Sequence, residues 1–343
     1  MVIRRSLPGN LLLCLAACLV VALAGCGQRQ PAEHANANAR TRVGLVAKSL
    51  GNGFFDAIHR GADEAAQTLN AEVIFTGPTT PTAEGQIEVI NSLIAQQVDA
   101  IAISANDPDA LVPVLQRAMQ RGIKVVTYDS AVDAKGRNVH LAAASEALIG
   151  QTCVELAAEL APGSKGKIAV VSATPTSTNQ NAWLAQMKAA LPQYPGLELV
   201  GVAYGDDVSD KSYRETVALV KQHPDLAVIV SLSSVGIVAA AKAIEDQGLT
   251  GKVQVTGLGL PSELAGFVHR GVVPKFAIGN PVDLGYAAMQ VAVRLARGEK
   301  PSADHPVSVA RLGEVTFDAT GFGSLGKPAV YDKDNVDAVE KSF

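Results

Sequence analysis

Short runs rich in Val and Ile alternate with amphipathic stretches through most of this chain, and that alternation constrains the fold more than any other feature. The runs are Val43–Ala47, Ala71–Phe75, Ala100–Ser104, Lys124–Tyr128, Ile168–Ser172, Leu197–Ala203, Ala227–Ser231 and Val253–Gly257. Between them lie helical patterns at Phe54–Thr68, Gly85–Gln96, Pro108–Gln120, Ala147–Leu160, Asn181–Leu191, Lys211–Lys221, Gly236–Gln247 and Pro261–Arg270. Apolar runs without polar alternation are strands buried on both faces. A helix between successive strands returns the chain to the same end of a sheet, so the pattern predicts βαβ units and parallel sheets covered on both sides. Gly77-Pro78, Arg121-Gly122, Pro162-Gly163, Gly248 and Arg270-Gly271 punctuate the element ends.

The chain beyond residue 41 is long enough for two lobes, each with its own core. A polar turn at Asn138 followed by the apolar Val139–Ala144 places one lobe crossing near Asn138–Ser145, and a second is expected near Ile278–Val282. The helix Leu284–Arg297 then packs back on the first lobe. This reading assigns 42–141 and 279–306 to an N-terminal lobe. It assigns 142–278 and 307–343 to a C-terminal lobe and closing tail, the tail being loops and short strands around Gly321, Gly323 and Gly326.

Arg4 and Arg5 precede an apolar stretch from Leu11 to Ala24 that is short for a bilayer span, as in a signal peptide over residues 1–25. It ends in Leu23-Ala24-Gly25-Cys26, the small-residue pattern a lipoprotein signal peptidase requires, so Cys26 is expected to carry a lipid anchor at the mature N-terminus. Residues 26–41 are poor in large apolar side chains and read as a flexible tether. Cys14 and Cys18 leave with the signal peptide. Only Cys153 remains, in an apolar helical stretch, where a buried thiol outweighs a nucleophile.

A net charge of −4 and the lack of a basic cluster argue against nucleic acid. Catalysis requires nucleophile, base and orienting group together. His34 lies in the tether, and His59, His140, His223, His269 and His305 are scattered without motif neighbours. No P-loop, HExxH or paired-cysteine pattern is present, and Gly257-Leu258-Gly259 lacks the further glycine spacing of a dinucleotide site. The chain therefore reads as a non-enzyme that calls for no cofactor and no metal.

Lys48-Ser49-Leu50-Gly51-Asn52-Gly53-Phe54-Phe55 resembles the first strand and loop of the type I periplasmic binding proteins of the ribose-binding family. Thr76–Gln97, Asp99–Leu111, Gln120–Lys124, Tyr128-Asp129-Ser130, Thr176–Trp183 and Asp206–Tyr213 are similar to its rhamnose-binding and autoinducer-2-binding branch, and the resemblance runs from Val43 to the C-terminus. It implies two Rossmann-like parallel-sheet lobes joined by a three-strand hinge, with a small sugar bound between them. Strand C-terminal ends and helix N-termini form that crevice in open α/β sheets.

The candidate ligand contacts are Lys48, Phe54 or Phe55, Asp129, Asn179, Gln180, Trp183, Ser233 and Asn280, with Tyr128 lining the cleft or bracing Asp129. An ionised Asp129 can accept two hydroxyls at once, amides both donate and accept, and an aromatic ring covers an apolar sugar face. Asn52 is better placed to cap a helix, and Ser233, with Ser234, to cap or to read the ligand. The chain departs from the autoinducer-2 receptors at Asn179 (usually aspartate) and Leu232 (usually proline). It departs from the branch generally at Gly279 (usually tryptophan), where a roomier pocket is expected.

The resemblance implies a monomeric, membrane-anchored lipoprotein of the periplasm or cell surface that delivers a rhamnose-like sugar to an ABC permease and its ATPase. Its alternative is a receptor for autoinducer-2 or another sugar feeding a membrane sensor. A sugar-responsive repressor would share the two-lobed core but needs a helix-turn-helix where Arg4 to Ala24 stands.

Overall fold

The computed structural model describes Val2 and residues 40–342; the rest of the expected signal peptide, the expected tether through Ala39 and the expected lipidation site Cys26 lie outside the described residues. The first sheet is built from β1 (Thr41–Val46), β2 (Ala71–Thr76), β3 (Ala100–Ile103), β4 (Lys124–Tyr128) and β5 (Val139–Ala142). Every residue of β3 and β5 is buried, as a sheet covered on both faces requires. Helices α1 (Gly53–Leu69), α2 (Ala83–Ala95) and α3 (Val112–Gln120) return the chain between successive parallel strands.

The start of α1 is encoded locally. Asn52 accepts from the Phe54 amide, Asp56 adds negative charge to the first turn, and Asn70 ends the helix in the left-handed region at φ 48°. Phe55, Ile58, Ala62 and Ala65 then recur at helical spacing on the buried face.

After β5 the chain crosses into the second lobe. There α4 (Glu146–Leu160), β6 (Gly166–Ser172), α5 (Thr178–Ala190), β7 (Leu197–Tyr204), α6 (Ser209–Gln222), β8 (Leu226–Ser231), α7 (Ser234–Asp246), β9 (Gln254–Gly257) and α8 (Pro261–His269) follow. The parallel sheet has the order β7-β6-β8-β9, and a bridge from Leu258 to Ala277 joins it to β10 (Lys275–Ile278). Cys153 of α4 is buried in this lobe's core, where burial pushes its thiol up to about 12, so it stays protonated and inert.

The second crossing leads into α9 (Pro281–Ala296), which lies against α1 in the first lobe. Glycines let the two backbones meet. A Cβ at Gly61 would fall on the Val282 carbonyl, and one at Gly285 on the Ile58 carbonyl.

The tail divides between the lobes instead of staying with the second. β11 (Val307–Val309) and β12 (Gly313–Val315) form a hairpin whose Val307, Val309 and Val315 join the first-lobe core with Phe317. β13 (Phe322–Ser324) pairs parallel to β5, giving a first sheet of order β13-β5-β4-β3-β1-β2. A third crossing then carries the chain back, and β14 (Ala329–Asp332) pairs antiparallel to β10 before the short α10 (Val336–Val339). The apolar residues at 307, 309, 315 and 317 lie in one buried cluster with Leu284, Ala288 and Val291 of α9, which puts this part of the tail with the first-lobe core. The crossings touch: the Leu325 amide donates to the Ala142 carbonyl (3.1 Å) and the Ser145 amide to the Gly326 carbonyl (2.9 Å).

Gly285→Ala should force α1 and α9 apart and destabilise the protein by about 1–3 kcal/mol, the usual range for overpacking. Thermal melts are expected to show a clear fall for Gly285→Ala. Gly266→Ala in α8, whose added methyl would meet only the far end of the Arg270 side chain, should change little.

Candidate functional site

The C-terminal ends of both parallel sheets face one cleft, and a network of buried polar groups fixes the loops that leave them. Gln86 of α2 is fully buried; its Nε2 donates to the carbonyls of Ala47 (3.0 Å) and Ser104 (2.7 Å), and its Oε1 accepts from the Asn106 amide (2.9 Å). Asn106 Nδ2 donates in turn to the Lys48 carbonyl (2.9 Å). The loops after β1 and β3 are thus locked together, and Lys48 is held at 3% exposure with its ammonium in the cleft.

Asp129 follows β4 with φ 58°, a left-handed conformation that aspartate tolerates better than most residues. Tyr128, one residue earlier, points into the first-lobe core, where its hydroxyl donates to the Val46 carbonyl (2.9 Å), while Asp129 faces the cleft. Asp129 Oδ2 accepts from Ser104 Oγ (2.7 Å) and Oδ1 accepts from Asn179 Nδ2 (2.9 Å). Asn179 Oδ1 accepts from Lys48 Nζ (3.1 Å), so one second-lobe amide joins an ammonium and a carboxylate of the first lobe. Burial raises the Asp129 carboxyl above its usual range; Lys48, Ser104 and Asn179 pull it back down and Asp207 pushes it further up.

On the second-lobe side, Gln180 lines the cleft with its amide engaged by its own lobe. Its Oε1 accepts from the Ala173 amide (3.0 Å) and its Nε2 donates to the Leu232 carbonyl (3.0 Å). Ser233 caps α7 by accepting from the Gly236 amide (3.1 Å) and donates to Asp207. Thr176 Oγ1 donates to the Asn106 carbonyl (3.2 Å) and Thr178 Oγ1 to the Ala131 carbonyl (2.9 Å), adding two further polar contacts between lobes.

These groups line a cavity at the cleft between the lobes. Phe54, Phe55, Trp183, Ile149, Leu258 and Ile278 supply apolar wall. The Phe54 and Phe55 rings meet edge to face with centroids 5.4 Å apart. Phe55 is almost wholly core and Phe54 is the more exposed. Trp183 lines the cavity and packs on the second-lobe core at once. Gly279 lies against Ala143: a Cβ there would stand 2.8 Å from that methyl, so the first crossing fills the side on which a ring was expected to be missing.

Lys48, Phe54, Phe55, Asp129, Asn179, Gln180, Trp183 and Ser233 all line this cavity, and so does Asn52 while capping α1. Tyr128 and Asn280 do not. Asn280 closes the start of α9, accepting from the Asp283 amide (3.1 Å) and donating to its carboxylate (2.7 Å). The sequence reading missed Asp207, in the loop after β7 with φ 53°, and Glu146 at the start of α4. The rule that strand ends and helix starts form the crevice would have found both. Among the described residues no cluster of His, Cys, Asp and Glu could hold a metal ion.

A family model described as a periplasmic binding protein domain matches residues 43–300. An ABC transporter solute-binding protein from Clostridium phytofermentas, solved with bound L-rhamnose, is 36% identical with a TM-score of 0.85, covering 89% of this chain and 99% of that one. The D-ribose/D-allose-binding protein of Pseudomonas aeruginosa is 28% identical, covering 82% of this chain and 91% of its own. LsrB from Clostridium saccharobutylicum, solved in complex with AI-2, shares the fold with a TM-score of 0.82 at 22% identity, covering 87% of this chain and 99% of that one. The chain belongs to the type I periplasmic binding protein family, the extracytoplasmic sugar-binding and non-enzymatic components of ABC transporters.

Proposed function

We propose that this protein binds L-rhamnose or a closely related 6-deoxyhexose between its lobes and presents it, from a lipid anchor on Cys26, to an ABC importer. The observation that carries the reading is the division of the cavity into a polar knot, Lys48–Asn179–Asp129, and an extensive aromatic and aliphatic wall. A 6-deoxyhexose has the same division. Its vicinal hydroxyls can donate to Asp129 and accept from Lys48, while its methyl group and the C–H face of its ring suit Phe54 and Trp183. The similarity to the rhamnose-bound protein of C. phytofermentas supports the same choice.

In this mechanism the sugar binds first to one lobe, and rotation about the three crossings brings up the other. Asn179 then joins Lys48 and Asp129, and water is excluded. Ligand drives closure because it contacts both lobes only in the closed form. The permease reads the closed rim, and its ATPase supplies the energy for transport. The protein acts as a monomer.

The ligand is tested by thermal shift across L-rhamnose, D-ribose, D-allose and autoinducer-2. A ligand that binds only the folded form raises the melting temperature, and L-rhamnose is expected to raise it most. A shift with the other three and none with L-rhamnose would reject the deoxyhexose reading.

Asp129→Asn keeps the side chain's shape and its tolerance of the left-handed backbone but removes the charge. Calorimetric affinity should fall about tenfold or more, as loss of charge from a ligand hydrogen bond implies. The ligand-free melting temperature should hold or rise, because a buried charge is gone. The pH dependence has a defined sign. Ligand hydroxyls bind the ionised carboxylate, so affinity is full above its raised pKa and falls about tenfold per pH unit below it. Loss should therefore begin at a pH above the ordinary aspartate range.

Cys26→Ser should abolish acyl labelling and release the protein from the membrane fraction. A variant that stays labelled would remove the anchor from the proposal.

A further inference from the structure

The cavity holds one charged side chain with no use so far. Lys48, Asp129 and Asp207 all have hydrogen-bond partners within the protein. Glu146 lines the same cavity from the first residue of α4, beside the hinge residues Ala143, Ala144 and Gly279, and its carboxylate has no hydrogen bond or ion pair to any described residue. Burial raises its carboxyl above the usual range with no compensating cation. The cavity is also unbalanced, with Asp129, Asp207 and Glu146 facing a single ammonium, Lys48.

We infer that Glu146 is a ligand-contacting residue that accepts a hydrogen bond from the bound sugar and makes the cleft select neutral sugars over their uronic-acid counterparts. The inference rests on the cleft being a sugar site, but not on the sugar being rhamnose. A partly buried acceptor at a ligand cavity gains most from a donor delivered by the ligand, and a hydroxyl delivers one. A ligand carboxylate would instead bring a like charge beside Glu146, in a cavity that already has more acidic than basic side chains. Glu146 would hold the part of the ligand nearest the hinge, and Asp129 the part nearest the strand ends of the first lobe.

The test is calorimetric titration of wild type, Glu146→Ala and Glu146→Gln with L-rhamnose, D-ribose, D-allose and D-galacturonate. Wild type is expected to bind a neutral sugar and refuse galacturonate. Glu146→Ala should weaken the neutral sugar about ten- to a hundredfold, the range for one charge-assisted hydrogen bond, with the ligand-free melting temperature unchanged. Glu146→Gln should weaken it less and narrow the gap to galacturonate. Affinity within threefold of wild type in both variants would reduce Glu146 to a helix-start carboxylate and overturn the inference, as would wild-type preference for galacturonate. Should L-rhamnose fail while D-ribose or D-allose binds, the deoxyhexose reading falls and Glu146 is judged on the sugar that binds. A wild type that binds none of the four overturns both.

Discussion

The carboxamide of Asn179 stands between an ammonium and a carboxylate, and the working geometry of the molecule depends on that placement. Its oxygen accepts from Lys48 and its nitrogen donates to Asp129, so the charges on either side admit only one orientation of the amide. Aspartate, usual at this position in autoinducer-2 receptors, would set a second carboxylate against Asp129 in a partly desolvated cleft. One of the two would then take up a proton or the lobes would move apart. Asparagine lets the lobes meet without a second carboxylate beside Asp129. The three residues come from separate segments, and it is the parallel topology that brings them together, since every strand of a parallel sheet delivers its following loop to the same edge.

Closure is balanced more finely than the cores on either side. Each lobe has its own apolar core, and the first is clamped by the glycine-mediated contact of α1 with α9. Polar contacts between the lobes include the two bonds of Asn179 and those of Thr176 and Thr178, each worth about 0.5–1.5 kcal/mol net, or somewhat more where charged. The desolvated Asp129 carboxylate opposes them. In the proposed mechanism, terms of this size would leave open and closed forms within reach of one another, and a few hydroxyl hydrogen bonds from a sugar would decide between them. Small side chains at the crossings, Ala143 against Gly279, keep the hinge thin.

The repeating βα units were legible because buried parallel strands leave no polar alternation and each must be followed by a cover helix. Lys124–Tyr128 matches β4 residue for residue, and most other elements lie within a few residues of their sequence patterns. The tail was not legible in the same way. Its strands are three or four residues long, too short to show a period, and β13 and β14 find their partners β5 and β10 more than fifty positions away. The site shows the same division. Strand-end position identified Lys48 and Asp129, which face the cavity, but could not show that the pleat turns Tyr128 inward. Nor could it show that Gln180 spends both ends of its amide on backbone. Gln86, which ties two strand ends together, looks in sequence like any polar residue on a helix; only the fold places it in the interior.

Two departures from the related proteins acquire a physical meaning from this geometry. A tryptophan at Gly279 would require Ala143 to withdraw, so glycine here goes with a close approach of the first two crossings and not with an open space awaiting a larger ligand. Leu232 is buried, lines the cavity and presents its backbone carbonyl to Gln180, so it acts on a ligand both directly and through the position of that amide. Three carboxylates and one ammonium favour a ligand rich in donors, and the aromatic and aliphatic wall favours one with an apolar face. In the proposed reading a neutral sugar would meet both demands, and a deoxygenated carbon would meet the second better than a hydroxymethyl group.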